Sequence, residues 1–125
     1  MRVALVVPDR ELWVGEATTV IAKTTEGDIG VLTGHSPVFG ALAEGSLVRI
    51  LTEDTAVTAA VSGGFLSVAG DRVSILAAEA QLGEEVDREE ARRELAALTD
   101  VGPGAEEPAE LKYARARLRA AGDQA

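Results

Sequence analysis

The stretch that decides the fold runs from Ser46 to Ala78 and reads SLVRILTEDTAVTAAVSGGFLSVAGDRVSILAA. Four short runs rich in Val, Ile, Leu, Ala and Thr follow one another there: Ser46–Thr52, Thr55–Ser62, Phe65–Ala69 and Arg72–Ala78. Glu53-Asp54, Gly63-Gly64 and Gly70-Asp71 punctuate them, and residues of these types favour tight turns between strands. The close spacing of the first two runs predicts a hairpin. Working toward the N-terminus, Met1–Val7, Leu12–Val14, Thr18–Thr25 and Ile29–Leu32 continue the pattern. Pro8-Asp9-Arg10-Glu11 and Glu26-Gly27-Asp28 read as turns, and Gly34 to Pro37 with Gly40 read as a loop. Short strands with turn signals this frequent imply a sandwich or barrel.

Beyond Gly83 the period changes from two to about 3.6. Asp87 followed three positions later by Glu90 has capping-box spacing, and Ala91, Leu95 and Leu98 recur at helical intervals. Gly102-Pro103-Gly104 predicts a break. A second helix is expected from about Pro108 to Ala121, with Leu111, Ala114, Leu118 and Ala121 as its apolar stripe. Glu106, Glu107 and Glu110 lie at its start, and Arg115, Arg117 and Arg119 toward its end, an order that suits the helix dipole. The fold class is therefore α+β: an N-terminal antiparallel β domain, β-sandwich or barrel, over residues 1–84, then an α-helical hairpin over 85–125.

Composition narrows the function. The chain has 125 residues and a net charge of −9. Residues 111–125 alone carry +3, which leaves −12 on the remainder. So acidic a body argues against nucleic acid as a partner, because neutralising phosphates takes clustered Lys and Arg. With no Cys and one His, the chain has no thiolate nucleophile, no disulfide and no multi-His metal site. No apolar run approaches the roughly 20 residues of a membrane span, and no secretory signal is expected. His35-Ser36 sits outside any G-x-S-x-G elbow and has no third group to orient it, so a loop role is the simpler reading than hydrolysis. Gly102-x-Gly104 is no dinucleotide fingerprint. Neither catalytic residues nor a metal site is expected. Trp13 and Phe39 are expected to play a structural role in the sandwich rather than to serve an interface, and Tyr113 fits either role.

Two strings carry a resemblance. Glu26-Gly-Asp-Ile-Gly-Val-Leu-Thr-Gly-His35-Ser-Pro37 and Val61-Ser-Gly-Gly-Phe-Leu66, with the Val73–Ala78 strand and two terminal helices in order, resemble the epsilon subunits of bacterial F-type ATP synthases. The resemblance spans essentially the whole chain. It implies a non-catalytic central-stalk subunit that grips the gamma subunit, rests on the c-subunit ring, rotates with them and links proton flow to ATP synthesis. It also implies a peripheral place on the cytoplasmic face of the membrane, held through partner subunits. By the same resemblance, Glu26, Gly27, Asp28, Gly34, His35 and Pro37 belong to the partner interface. The terminal hairpin would fold on the sandwich or extend toward the alpha/beta catalytic head to restrain hydrolysis, with Lys112, Arg115, Arg117 and Arg119 as its basic contacts.

Two departures modify those expectations. Members of the family that bind ATP show aliphatic-Asp-x-x-Arg-Ala at the start of the first helix. This chain reads Val86-Asp87-Arg88-Glu89-Glu90-Ala91, so Glu90 stands where the arginine would be. A carboxylate repels triphosphate, and no bound cofactor or tight ATP binding is expected. A free nucleotide-sensing module, the rival reading, loses support for the same reason. Thr33 replaces the family's proline, which costs loop rigidity but keeps the turn glycine. The second helix would reach only about 20 Å at 1.5 Å per residue, so strong self-inhibition by insertion is not expected. Leu95, Leu98, Leu111 and Leu118 are its large apolar anchors and those of its neighbour. At about 1.5–3 kcal/mol each on full burial, against the entropy of ordering two short helices, they imply a hairpin that can leave the sandwich without unfolding it.

Overall fold

A computed structural model describes residues 1–98 and 108–122, the side chain of Leu98 excepted. The strands are β1 (Arg2–Val7), β2 (Arg10–Glu16), β3 (Thr19–Thr24), β4 (Gly27–Leu32), β5 (Val38–Leu42), β6 (Ser46–Leu51), β7 (Ala56–Val61), β8 (Gly64–Ala69), β9 (Arg72–Ala77) and β10 (Ala80–Leu82). A 3₁₀ turn at Gly83–Glu85 leads to α1 (Arg88–Leu98) and α2 (Ala109–Ala120). The Gly102-Pro103-Gly104 break and the acidic pair Glu106, Glu107 lie outside the described residues.

Hydrogen bonding runs in the order β10-β7-β6-β3-β5-β8-β9-β1-β2, with β4 on the other edge of β3. β3 is the corner. Thr19–Ala22 pair with β6, whereas Thr24 pairs with Leu42 of β5, so the ladder passes from one layer to the other. Alternation then fills the space between the layers. Val3 and Leu5, Val20 and Ala22, Val48 and Ile50, Leu66 and Val68, and Val73 and Ile75 all point inward and are buried. The expected β6–β7 hairpin forms, with Ser46 opposite Val61 and Leu51 opposite Ala56. One pair, β1 with β9, is parallel and departs from a purely antiparallel sandwich.

Several boundaries differ from expectation. Gly40 belongs to β5 rather than to a loop, and β10 continues the sheet beyond Ala78. Gly27 and Asp28 open β4, so the β3–β4 turn is Thr25-Glu26. β2 begins at Arg10, which leaves Pro8-Asp9 as the turn. In each case a cross-strand partner recruits residues whose own propensity is weak.

The helices start as their caps dictate. The Oδ1 of Asp87 accepts the Glu90 N–H at 3.1 Å. Pro108 occupies the N-cap of α2, where its missing N–H costs nothing. α2 lies against β6 and β7. Leu111, Ala114 and Leu118 are buried as the stripe requires, and Ala116 joins them, while Ala121 and Leu95 are only half-buried. Ala60, between the core residues Ala59 and Val61, points away from the core yet is fully buried, because α2 covers it.

Candidate functional site

The sheet formed by β5, β8, β9 and β1 presents an outer face that no other element covers among the described residues. Directly opposed residues on neighbouring strands share a face. One row crosses Ala41, Phe65, Leu76 and Val6. The adjacent row crosses Phe39, Ser67, Ser74, Ala4 and Val14. Apart from Glu11, which lies opposite Val6 at the β2 margin, the two rows hold no charged residue, in a chain of which 26% is charged. Phe39 is 70% exposed, Leu76 49% and Phe65 48%. The two phenyl rings stack with centroids 5.4 Å apart and planes inclined by 17°. Single exposed apolar residues are ordinary, but a contiguous apolar patch marks an interaction surface. Phe39 therefore stands exposed on this face, stacked on Phe65, and is not packed between the layers. The alternation Val38-Phe39-Gly40 carries the signal, but only once β5 is known to be a strand. Trp13 does pack against the core as expected.

The interface residues expected from sequence fall into two groups. Glu26, Gly27 and Asp28 lie at the β3–β4 turn, where the Thr24 hydroxyl donates to the Gly27 carbonyl at 2.7 Å and accepts the Glu26 N–H at 3.2 Å. Gly34, His35 and Pro37 lie beyond the other end of β4. At about 3.3 Å per residue that strand separates the groups by roughly 17 Å. The second loop is tied down. The Gly34 N–H donates to Asp71 Oδ1 at 2.8 Å, and the His35 N–H to the Leu32 carbonyl at 3.0 Å. The His35 Nδ1 lies 2.6 Å from the Ser36 carbonyl oxygen, so that nitrogen engages backbone and not the Ser36 hydroxyl. The loop then runs straight into β5 and Phe39.

The second feature is the junction of the hairpin with the sandwich. Arg117, on α2, is only 6% exposed. Its neighbours there are Gln81 of β10, Glu90 and Glu94 of α1, and the Tyr113 ring. Burial raises the Tyr113 phenol from 10.0 to about 12; the nearby Glu79 and Glu94 add to the rise and Arg117 opposes it. The remaining basic residues of α2 stand elsewhere. Lys112 approaches Glu44 at 3.9 Å, Arg119 is exposed near Lys23 and Arg49, and Arg115 is half-buried. Among the described residues no group of His, Asp and Glu is placed to hold a metal.

This build is that of an accessory subunit, with an exposed apolar face on one side and a folded arm on the other. Comparison with known proteins agrees. The family profile for the ATP synthase delta/epsilon chain β-sandwich domain matches residues 1–83. The ATP synthase epsilon chain of Thermobifida fusca is 54% identical over 123 residues, covering 95% of this chain and 90% of that one. Among solved structures, a chain of the Euglena gracilis mitochondrial ATP synthase (OSCP/F1/c-ring) superposes with a TM-score of 0.70 at 27% identity, covering 93% of this chain and 73% of that one. A chain of the Tetrahymena thermophila central stalk and c-ring shares the fold, with a TM-score of 0.59 over 94% of this chain and 88% of that one. The chain belongs to the epsilon-chain family of ATP synthases. It is a non-catalytic subunit of that machine, and none of its described helices is long and apolar enough to cross a membrane.

Proposed function

We propose that the apolar face of β5, β8, β9 and β1 grips the gamma subunit of the synthase, and that the turn bearing Glu26, Gly27 and Asp28 rests on the c-subunit ring. The observation that carries this reading is the bare Phe39–Phe65 stack beside Leu76. The loop of Gly34, His35 and Pro37 adjoins Phe39 in sequence, so a partner covering the ring pair also reaches that loop. The Glu26 end lies a strand length away and presents exposed carboxylates, which suit a polar or basic loop of a different partner. The sandwich then couples rotation of the ring to ATP synthesis, peripheral to the cytoplasmic face of the membrane and held there through its partners. The experiment is co-purification of alpha, beta, gamma and c subunits with this chain from detergent-solubilised membranes. The expected result is recovery of all four with the wild type. Their absence would overturn the reading.

The hairpin supports a regulatory role toward the alpha/beta head, carried by Lys112, Arg115, Arg117 and Arg119. In the docked state Arg117 is turned inward, so α2 must leave the sandwich before that residue meets another subunit. ATP is not the expected trigger, since Glu90 faces Arg117 where a nucleotide would need positive charge. Isothermal calorimetry of the full chain with MgATP is expected to show no binding in the micromolar range, and a micromolar Kd would restore the nucleotide-sensing reading.

A further inference from the structure

A buried arginine must be matched, because desolvating a charge is costly unless partners compensate it. Arg117 is matched by residues of two other elements. Its Nε donates to Gln81 Oε1 at 2.6 Å, and its Nη1 to Glu94 Oε2 at 2.7 Å. Its Nη2 stands 3.7 Å from Glu90 Oε1. The guanidinium carbon lies 5.8 Å from the centre of the Tyr113 ring, within range of a cation–π contact. One side chain on α2 thus joins α1 through two carboxylates and the sandwich through β10. No buried side-chain nitrogen or oxygen among the described residues lacks a partner.

The seat beneath α2 is shaped for the same state. A Cβ at Gly83 would collide with the Ala120 carbonyl, and one at Gly45 with the Lys112 backbone. Gly45 also needs glycine for its φ of +57°, but the Gly83 backbone is ordinary. At Gly83 the missing side chain serves only the close approach of the helix.

We propose that Arg117 is a nucleotide-independent latch that holds the hairpin on the sandwich, with Gly83 as the notch that lets α2 seat. The surrounding cavity, about 470 Å³, is lined by Asp9, Glu79, Glu90 and Glu94 against Arg10 and Arg117. Arg10 already faces Glu85 at 3.6 Å. A polyphosphate entering there meets an excess of negative charge and must displace Glu90 and Glu94 to reach Arg117. A nucleotide filling the junction therefore does not release the hairpin. The latch is intramolecular and does not depend on which subunits the sandwich grips.

Hydrogen exchange followed by mass spectrometry on the full chain tests it, with wild type, Arg117→Met, Glu94→Gln and Gly83→Ala. Arg117→Met and Gly83→Ala are each expected to speed exchange in α1 and α2 by at least about tenfold while β6, β8 and β9 keep wild-type protection. Glu94→Gln should have a smaller effect, and none once Met stands at 117, as coupled residues require. Millimolar ATP should leave the wild-type pattern unchanged. Hairpin exchange within about twofold of wild type in both Arg117→Met and Gly83→Ala overturns the latch, as does slowing by ATP. Failure of Arg117→Met to fold, or equal acceleration in the sandwich, overturns it as well, because the residue would then belong to the common core.

Discussion

The two outer faces of the sandwich differ in the size of their side chains and meet different fates. Over β6 and β7 the face is small, with Ala60 at its centre and Gly45 and Gly83 at its margins, and the chain's own α2 lies on it. Over β5, β8 and β9 the face is large and aromatic, and none of the described residues covers it. Size explains the division. A helix of alanine and leucine packs closely only on a floor cleared of side chains, whereas stacked phenyl rings stand proud and need a partner shaped around them. The covered face thus belongs to the folding of this chain, and the exposed one carries the proposed contact with gamma.

The comparison breaks hardest in the core the two faces share. Ile50→Ala, buried between the layers, should cost about 2–5 kcal/mol and lower the melting temperature of the whole chain, hairpin included. Should the hairpin signal survive while the strands melt, the hierarchy drawn here is inverted. Next, Phe65→Asp should weaken association with gamma by about 100-fold or more, because an unpaired carboxylate would be desolvated in the interface. Its own stability should fall by only about 1–2 kcal/mol, the worth of the ring stack and of strand propensity at a half-exposed position. Binding of the purified chain to gamma, measured by biolayer interferometry beside a melting curve, separates the two effects.

A gentler probe is alkali. The folded Tyr113 phenol sits near pH 12 and the unfolded one near 10, so between those values the unfolded chain sheds a proton that the folded chain keeps. Docking stability is complete below pH 10 and declines as pH rises through 12. The chain has a single Tyr, so an ultraviolet titration reports this group alone. A midpoint near 10 would mean that the hairpin does not shield it. The smallest effect is expected at the Gly34 loop. Asp71→Gly keeps the turn, whose φ of +59° glycine accepts, but removes the acceptor of the Gly34 N–H. It should raise exchange at that amide and cost the protein only about 1 kcal/mol.

Much of this was legible along the chain. The Ser46–Ala78 strands, the Asp87 cap, the Pro108 start and the Leu111-Ala114-Leu118 stripe all follow from short-range rules, and the structure repeats them. β5 and β10 were not, because five residues interrupted by Gly40 and three residues after Ala78 carry too little alternation to stand out. Arg117 reads as one of several solvated arginines on a basic helix. Nothing within α2 announces that Gln81, Glu90 and Glu94 converge on it from two other elements.

Period and punctuation along the chain therefore determined where strands give way to helices, while the Glu26–Pro37 and Val61–Leu66 strings carried the resemblance to the family. Only tertiary structure decided which outer face would be covered, which phenyl rings would meet, and which arginine would be withdrawn from water. The reason is one of range. Turn chemistry and alternation act over a few neighbours, whereas facing, stacking and charge matching join residues tens of positions apart, as Phe39 joins Phe65 and Arg117 joins Gln81.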